Sequence, residues 1–227
     1  MRWGWVLALV WAGSAAAEGV TRTEEVVCPI GGEVIEVVRE VDCPRTGITM
    51  SLMPVNTCSD VTLLPICPAT GLPLFRDFSA EEVSALQKIV TEEGYLALRD
   101  GNDWLRADYV AGRLGTGPDD ELQALLMAFG DDPSLFRRDE ALTERLLAAI
   151  DRMVAERGPD AAPWGNGRIA HIHAVLGETE AARARLAAVP PDADPSGFWG
   201  WYAILLTACL ADMDRPECRP DAPIEGL

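Results

Sequence analysis

The sequence predicts an α+β fold that is mostly α, in which a small β-hairpin or ribbon module stapled by disulfides precedes antiparallel helix pairs. Two observations predict it. Four of the six cysteines lie between positions 28 and 67, among β-branched residues and Pro/Gly turns. From position 79 onward, apolar residues recur with a helical period. We therefore divide the chain into a signal peptide at 1–17, a cysteine module at 18–77 and a helical-repeat domain at 78–227.

The N-terminus is typical of a secretory signal peptide. Arg2 precedes an apolar run at 3–12, and small residues at 15–17 offer a cleavage site. The run is shorter than the roughly 20 residues of a membrane-spanning helix, so we expect cleavage and no remaining membrane anchor. A single lysine among many arginines, together with abundant alanine, indicates a GC-rich coding sequence and a bacterial source. The predicted location is periplasmic or secreted.

The charge balance argues against nucleic acid as a partner. Lys and Arg number 19 against 36 Asp and Glu, which gives a formal net charge of −17. Affinity for a phosphate backbone depends on Lys and Arg, which are in the minority here. Hydrophobic residues make up 48%, which is typical of a folded protein rather than a disordered one. We expect an acidic folded protein that attracts basic partners.

The cysteine module begins with a predicted β-hairpin. Residues 25–27 and 34–38 are rich in valine and isoleucine, and they flank a Pro/Gly turn at 29–32. A second β-prone run at 61–66 precedes another such turn at 68–71. We therefore expect a strand before each turn.

Three segments of this module have the form Cys-Pro-x-x-Gly. They start at Cys28, Cys43 and Cys67. The form resembles the knuckle of zinc ribbons, Cys-Pro-x-Cys-Gly, in which two thiolates on one tight turn supply half of a tetrahedral zinc site. The second thiolate of each knuckle is missing here. The residues in its place are Gly31, Thr46 and Thr70.

A knuckle module followed by paired helices resembles a family of uncharacterised bacterial exported proteins that join a Cys-Pro-x-x-Gly module to tetratricopeptide-like helices. The resemblance covers most of the chain, and its specific motif is the repeated knuckle. It implies export and a helical-repeat fold, and it implies no reaction.

Six cysteines in an exported chain predict disulfides, because that compartment keeps thiols oxidised. The two knuckles of a zinc ribbon face each other, so the cysteines of the two outer knuckles would pair. The two cysteines between them in the sequence would then close the intervening loop. The expected pairs are Cys28 with Cys67, Cys43 with Cys58, and Cys209 with Cys218. One alternative joins Cys28 to Cys43. Another makes a four-thiolate metal site from the first four cysteines.

Apolar periodicity predicts a series of short helices joined by Gly, Pro and Asp turns, which is typical of antiparallel helix pairs. Ser79 is the expected N-cap of the first, and Gly115 the expected end of the second. Pro133 opens a long fourth helix. The predicted helices cover about 79–99, 104–114, 118–129, 133–153 and 198–210.

Between them, residues 166–189 resemble a tetratricopeptide hairpin. Its bulky, small, aromatic and turn positions are occupied by Asn166, Ile169, Ala170, His173, Gly177, Ala182, Leu186 and Val189. The usual tyrosine is His173, and the prolines after the hairpin come early. We expect a loop at 165–167 before it. About three helix pairs reach the minimum for a solenoid with a continuous core.

The sequence predicts no catalytic residue, no metal ligand and no cofactor. His171 and His173 lie two residues apart on one helix, about 200° apart around it, and cannot chelate one metal. Phosphate-loop, dinucleotide and nucleophile-elbow motifs are missing. Acidic pairs at 119–120 and 131–132 lie near helix starts, where carboxylates stabilise the helix dipole. An enzyme using only acids and arginines stays open.

Aromatic residues gather near the C-terminal helices, where they suit either a core or a peptide-binding surface. They are Trp164, Phe198, Trp199, Trp201 and Tyr202. Because Trp199 and Tyr202 share a helix face, we expect them to pack inward. Two functions follow as hypotheses. The first is an interaction module of the cell envelope, in which the helices at 79–214 bind a protein or peptide while the cysteine module caps one end. The second is a metal-binding or thiol-redox protein that uses the N-terminal cysteines.

Overall fold

The structure is a computed structural model that describes residues 19–58, 61–190 and 196–224. The predicted signal peptide at 1–17 lies outside these residues. The described part of the chain is mostly α-helical with small antiparallel β-sheets near its N-terminus, so the predicted fold class is confirmed. No helix in this part is long and apolar enough to cross a membrane.

The first β-hairpin pairs β1 (Val20–Val27) with β2 (Val34–Asp42) in antiparallel register. Its β-branched residues favour extended backbone, and the turn between the strands has two successive glycines at positive φ, Gly31 and Gly32. The hairpin packs one face inward through the fully buried Val37. The predicted hairpin is confirmed, with longer strands than the valine runs alone indicate.

A second small sheet pairs β3 (Arg45–Ile48) with β4 (Pro54–Asn56). Its position corrects one expectation: the chain is extended directly after Cys43, so this cysteine does not begin a knuckle turn. The predicted strand at 61–66 is also wrong, since only Ile66 forms a β-bridge, with Pro73. Pro65 precedes it and has no N–H with which to continue a ladder.

The two outer knuckles are the same turn used twice. The Cys28 carbonyl accepts a hydrogen bond from Gly32 at 3.2 Å, and the Cys67 carbonyl accepts one from Gly71 at 2.8 Å. Each turn is closed by the cysteine N–H, which donates five residues along the chain, to Glu33 at 2.8 Å and to Leu72 at 2.9 Å. The turns face each other, as the ribbon geometry predicts.

Nine α-helices and two 3-10 helices follow among the described residues. The α-helices are α1 (Ala80–Ile89), α2 (Glu93–Ala97), α3 (Asp103–Leu114), α4 (Pro118–Asp131), α5 (Pro133–Arg138), α6 (Glu140–Arg157), α7 (Ala162–Leu176), α8 (Thr179–Leu186) and α9 (Phe198–Cys209). The 3-10 helices are Pro159–Ala161 and Pro216–Cys218. The predicted caps are present: Ser79 forms a capping box with Glu82, and Gly115 ends α3 in the left-handed conformation.

Two of the predicted helices are each divided in two. The segment predicted at 79–99 breaks after α1, and the chain re-enters α2 at an angle that buries the Tyr95 ring completely. The long helix predicted from Pro133 breaks at Asp139, whose carboxylate accepts the Leu142 N–H at 3.0 Å. A carboxylate that caps a new helix in this way competes with continuation of the previous one.

The expected loop at 165–167 is wrong, because these residues lie inside α7. A Cβ on Gly165 would lie 2.3 Å from Val154 Cγ2, and one on Gly167 would lie 3.3 Å from the Trp199 and Tyr202 rings. Both glycines therefore bring α7 into close contact, with α6 on one side and α9 on the other. They serve helix packing rather than a turn. The hairpin of α7 and α8 that follows is present, with its turn at Gly177.

The cysteine module does not cap one end of the helices, as the sequence suggested, but crosses them. Its Cys28–Cys67 disulfide packs in one core cluster with α1, α2 and α3. Met50 and Leu52, between β3 and β4, belong to another cluster with α7, α8 and α9. The C-terminal tail joins them there, since Met50 N–H donates to Ala222 O at 2.9 Å. A single β-rich segment thus contacts both the first and the last helices.

Candidate functional site

A cleft of about 340 Å³ lies where the cysteine module crosses the helices. Residues 49–53 and Leu63 form one wall, the helices α3, α4 and α7 form the opposite wall, and the C-terminal tail closes one side. The apolar part of the lining comes mainly from Met53, Trp104, Leu126, Met127, Phe129 and Ile172. An apolar concave surface with few polar groups is the usual form of a ligand site.

Arg168, on α7, is the most unusual residue in this cleft. Its side chain is only 7% exposed, yet it forms no ion pair with any carboxylate of the described residues. Its Nη2 lies 3.6 Å from Met53 Sδ, its guanidinium carbon lies 5.7 Å from the centre of the Trp164 ring, and its Nε has no acceptor. Burial lowers the pKa of Arg168 to about 10, so the group stays charged at neutral pH.

His171 lies one helical turn beyond Arg168 and also lines the cleft. It is 1% exposed, and within the described residues its Nε2 has no hydrogen-bond partner. Burial, assisted by the neighbouring Arg168 charge, lowers the pKa of His171 to about 3. The imidazole is therefore neutral at physiological pH and can donate or accept one hydrogen bond to a ligand.

The carboxylates of the cleft lie at its edge. Asp131 and Asp221 are both exposed, and the Asp131 carboxylate accepts a hydrogen bond from Asn102 at 2.7 Å. Thr49 and Ser51 line the opposite wall with their hydroxyls 2.8 Å apart. The cleft thus combines a buried cation, a neutral imidazole, an apolar wall and an acidic edge.

All six cysteines form disulfides, and the pairs are those that the ribbon argument gave. Cys28–Cys67, Cys43–Cys58 and Cys209–Cys218 have Cα–Cα distances of 5.7, 5.4 and 5.4 Å. The alternative pairing of Cys28 with Cys43 is not the one in the structure. Cys28–Cys67 and Cys209–Cys218 are buried, whereas Cys43 and Cys58 are half-buried. Among the described residues, no group of His, Cys, Asp or Glu side chains is arranged to hold a metal ion.

The other residues that the sequence singled out have structural roles or lie elsewhere. His173 points away from His171, with Nδ1 2.5 Å from Glu178 Oε2. Asp119 and Asp120 lie in the first turn of α4, and Asp132 caps α5.

The aromatic cluster is mostly core. Tyr202 is fully buried, and Trp199 is half-buried with its ring edge-on to that of Tyr202. Trp201, 40% exposed, is on the outside of α9. Trp164 is the member of the group that contacts a cleft residue, Arg168.

Arg168 was the residue that sequence reasoning missed. A signal for it exists, because it stands just before the apolar stretch 169–176 of a helix and three residues before His171, on the same face. A charged residue in this position is either buried or at the edge of the apolar face of the helix. The sequence pattern alone does not distinguish the two cases. Comparison with known proteins adds no assignment: no family model, no curated protein and no solved structure matches this chain.

Proposed function

We propose that this protein is an exported module of the bacterial cell envelope that binds a peptide segment of a protein partner. The binding site is the cleft between residues 49–53 with Leu63 on one side and the helices α3, α4 and α7 on the other. The observation that carries the proposal is the apolar cleft with Arg168 and His171 buried in its lining, where Arg168 Nε and His171 Nε2 have no hydrogen-bond partner among the described residues. Buried polar groups are normally satisfied, and a ligand is one way to satisfy them.

The disulfides and the predicted leader support the proposed location. Three disulfides support a non-reducing compartment outside the cytoplasm. The predicted signal peptide at 1–17 and the resemblance to exported bacterial proteins support the periplasm or the cell exterior. A tetratricopeptide-like helical array is part of the same proposal, and it is supported by the hairpin of α7 and α8 with its turn at Gly177, whose first helix supplies Arg168 and His171 to the cleft.

Charge supports a basic partner. The net charge of −17 attracts positively charged segments over distances of about a Debye length, roughly 8 Å at physiological salt. The exposed carboxylates Asp131 and Asp221 place negative charge at the cleft itself. Binding is expected to weaken as the salt concentration rises.

The chemistry of the cleft favours binding over catalysis. His171 is the strongest candidate base there, but in the described part of the chain its Nε2 contacts no hydroxyl, thiol or carboxylate. Nucleophilic catalysis needs such a pair within hydrogen-bond reach. An anchoring role for Arg168 and His171 needs no such pair.

Affinity selection from a mixed library of synthetic octapeptides tests the proposal. Full-length protein is expected to enrich basic peptides that carry an apolar residue. Gly130, in α4 at the cleft, has nothing within 4 Å of an added Cβ, so a side chain can start there, and Gly130→Trp is designed to obstruct the cleft. Gly112→Trp is the matched control, because Gly112 is equally unobstructed in α3 and lies outside the cleft. Enrichment that survives Gly130→Trp unchanged would contradict the assigned site.

A second candidate function, thiol-redox activity, rests on one observation. Cys43 and Cys58 form the disulfide of the N-terminal module that solvent reaches, while Cys28–Cys67 is buried. Replacing both Cys43 and Cys58 by alanine separates the two functions. Peptide enrichment retained by that double variant supports the binding module, and enrichment lost with it favours the cysteine-dependent alternative.

A further inference from the structure

We propose that the cleft anchors the C-terminus of its partner: Arg168 takes the terminal carboxylate, and the apolar wall takes the last side chain. This inference rests on the proposed function, because it names the part of a peptide that the cleft holds. It assigns a role to a buried cation that the fold itself does not use.

The first step is the state of Arg168. Three structural roles would explain a buried arginine, namely an ion pair, a set of carbonyl hydrogen bonds or a stacked position. Arg168 has no ion pair within the described residues, and its only hydrogen-bond contact there is to the Met53 sulfur at 3.6 Å, a weak acceptor. The Trp164 ring, at 5.7 Å, is a cation–π neighbour and does not neutralise the charge. A buried charge without a counter-charge is costly, so an anion that enters the cleft is strongly favoured.

Arg106 shows what a buried arginine with a paired charge looks like in this chain, although its Nε, like that of Arg168, has no acceptor among the described residues. It is 4% exposed, and its guanidinium donates to the Arg99 carbonyl and to the Asp103 carboxylate. Both arginines lie on helices and are buried to a similar degree. The difference between them is the counter-charge, which Arg106 finds in Asp103 and which Arg168 lacks among the residues that the structure describes.

The second step concerns the kind of anion. The planar guanidinium matches a carboxylate through two parallel hydrogen bonds, and one positive charge balances one carboxylate. A phosphate monoester carries about two negative charges at neutral pH, more than one arginine balances, and the exposed Asp131 and Asp221 at the edge repel it more strongly than they repel a single carboxylate. His171, neutral and one turn away, adds one hydrogen bond to the same ligand without adding charge.

The third step selects a peptide over a fatty acid. The volume of about 340 Å³ is at the small end of ligand sites, and it holds one large side chain with a terminal carboxylate. The rest of the peptide extends out of the cleft past Asp131 and Asp221. These carboxylates pair with basic residues that precede the C-terminal residue. An acyl chain has no positive charge with which these carboxylates could pair. The expected ligand is therefore a C-terminal segment with an apolar last residue and lysine or arginine before it.

The experiment compares two fluorescein-labelled hexapeptides that contain two lysines and end in leucine, one with a free carboxylate and one with a C-terminal amide. Fluorescence anisotropy with the full-length protein is expected to show at least tenfold tighter binding of the free acid. Arg168→Met, which keeps an unbranched apolar stem and removes the guanidinium and its charge, is expected to bind both peptides with the weaker affinity. Decanoate, added as a competitor, tests the other source of a carboxylate and is expected to displace the acid peptide poorly.

The outcomes separate the inference from the proposed function. Equal affinity for the acid and the amide, with both lost in Gly130→Trp, overturns the carboxylate anchor but leaves peptide binding in the cleft. Displacement by decanoate at concentrations below those of the peptide overturns the choice of a peptide. No binding of either peptide, together with no enrichment from the octapeptide library, overturns both. If Arg168→Met fails to fold, Arg168→Lys replaces it and is expected to reduce the preference for the acid, because lysine cannot form the two parallel hydrogen bonds. A preference for the acid as large in Arg168→Lys as in the wild type would count against the anchor.

Discussion

The Tyr202 hydroxyl, on α9, donates a hydrogen bond of 2.8 Å to the carbonyl oxygen of Met50, which lies 152 residues earlier. Both residues are fully buried, and burial raises the pKa of the tyrosine. The bond fixes the segment between β3 and β4 against the last helix, and this segment is one wall of the cleft. The geometry of the candidate site therefore depends on a contact between the two ends of the chain.

Removal of that hydroxyl is expected to destabilise the fold. Tyr202→Phe leaves the Met50 carbonyl buried without this donor, which costs about 1 to 3 kcal/mol. Urea unfolding followed by circular dichroism measures the change. Tyr109→Phe is the control, because the Tyr109 hydroxyl donates to Glu92 at 2.6 Å near the surface, where water can replace it. Equal losses in the two variants would contradict a special role for the Met50 contact.

The close approach of α6 and α7 gives a second prediction. Gly165→Ala places a methyl group 2.3 Å from Val154 Cγ2, and overpacking of this kind costs about 1 to 3 kcal/mol. Shortening the neighbour in the double variant Gly165→Ala, Val154→Ala is expected to recover part of the loss. Gly112→Ala, at an unobstructed helical position, should instead be neutral or stabilising. Thermal unfolding of the four proteins checks this, and the absence of any rescue by Val154→Ala would show that the contact is not the cause.

Local signals in the sequence predicted the parts of the fold that depend on local chemistry. Helix α1 begins after Ser79 and α3 ends at Gly115, both where expected, because a cap acts within one turn. The knuckle spacing also predicted that Cys28 and Cys67 face each other. In contrast, Asp139 could have continued a helix or capped a new one, and only the packing around it decides.

The candidate site was beyond local signals because it is made by distant segments. The cleft brings residues 49–53 together with α7 and the C-terminal tail, and no periodicity in the sequence encodes that crossing. The helical conformation of Gly165 and Gly167 was also not predictable from local signals. A glycine in a helical pattern suggests a loop unless the helix that packs against it is known. Arg168 could be recognised as unusual from its apolar surroundings, but the lack of a partner is visible only in three dimensions.

His171 is expected to make the fold sensitive to mild acid. Its folded pKa of about 3 is below the ordinary value of 6.5, so the unfolded chain takes up a proton first as the pH falls. The free energy of unfolding therefore decreases as the pH falls below 6.5, by about 2 kcal/mol between pH 7 and pH 5. Carboxylates with lowered pKa, such as Glu82 at about 2, lose their contribution only below about pH 4.5, outside this window.

Urea unfolding at pH 7 and pH 5 measures this dependence. His171→Gln is expected to flatten it, because glutamine keeps polar atoms at the site and does not titrate. His173→Gln provides the matched control on the same helix, with its imidazole at Glu178 rather than in the cleft. If the pH dependence of the free energy of unfolding persists in His171→Gln and disappears in His173→Gln, the assignment of this dependence to His171 is wrong.

Arg168→Met is expected to stabilise the protein while it weakens binding. In the free protein the buried guanidinium has no counter-charge within the described residues, and burial already lowers its pKa to about 10. Methionine fills a similar space beside Met53 and Trp164 without a charge to desolvate, so the free energy of unfolding should rise by about 1 to 3 kcal/mol. The contrasting control is Arg106→Met, which removes an arginine that is ion-paired with Asp103 and leaves the Arg99 carbonyl without its donor, so that variant should lose stability. Opposite signs for the two substitutions in urea unfolding would mark Arg168 as a residue kept for a ligand at the expense of stability, as binding sites often are. A loss of stability in both would instead show that Arg168 supports the fold, and the cleft would then lack the unsatisfied cation on which the carboxylate anchor depends.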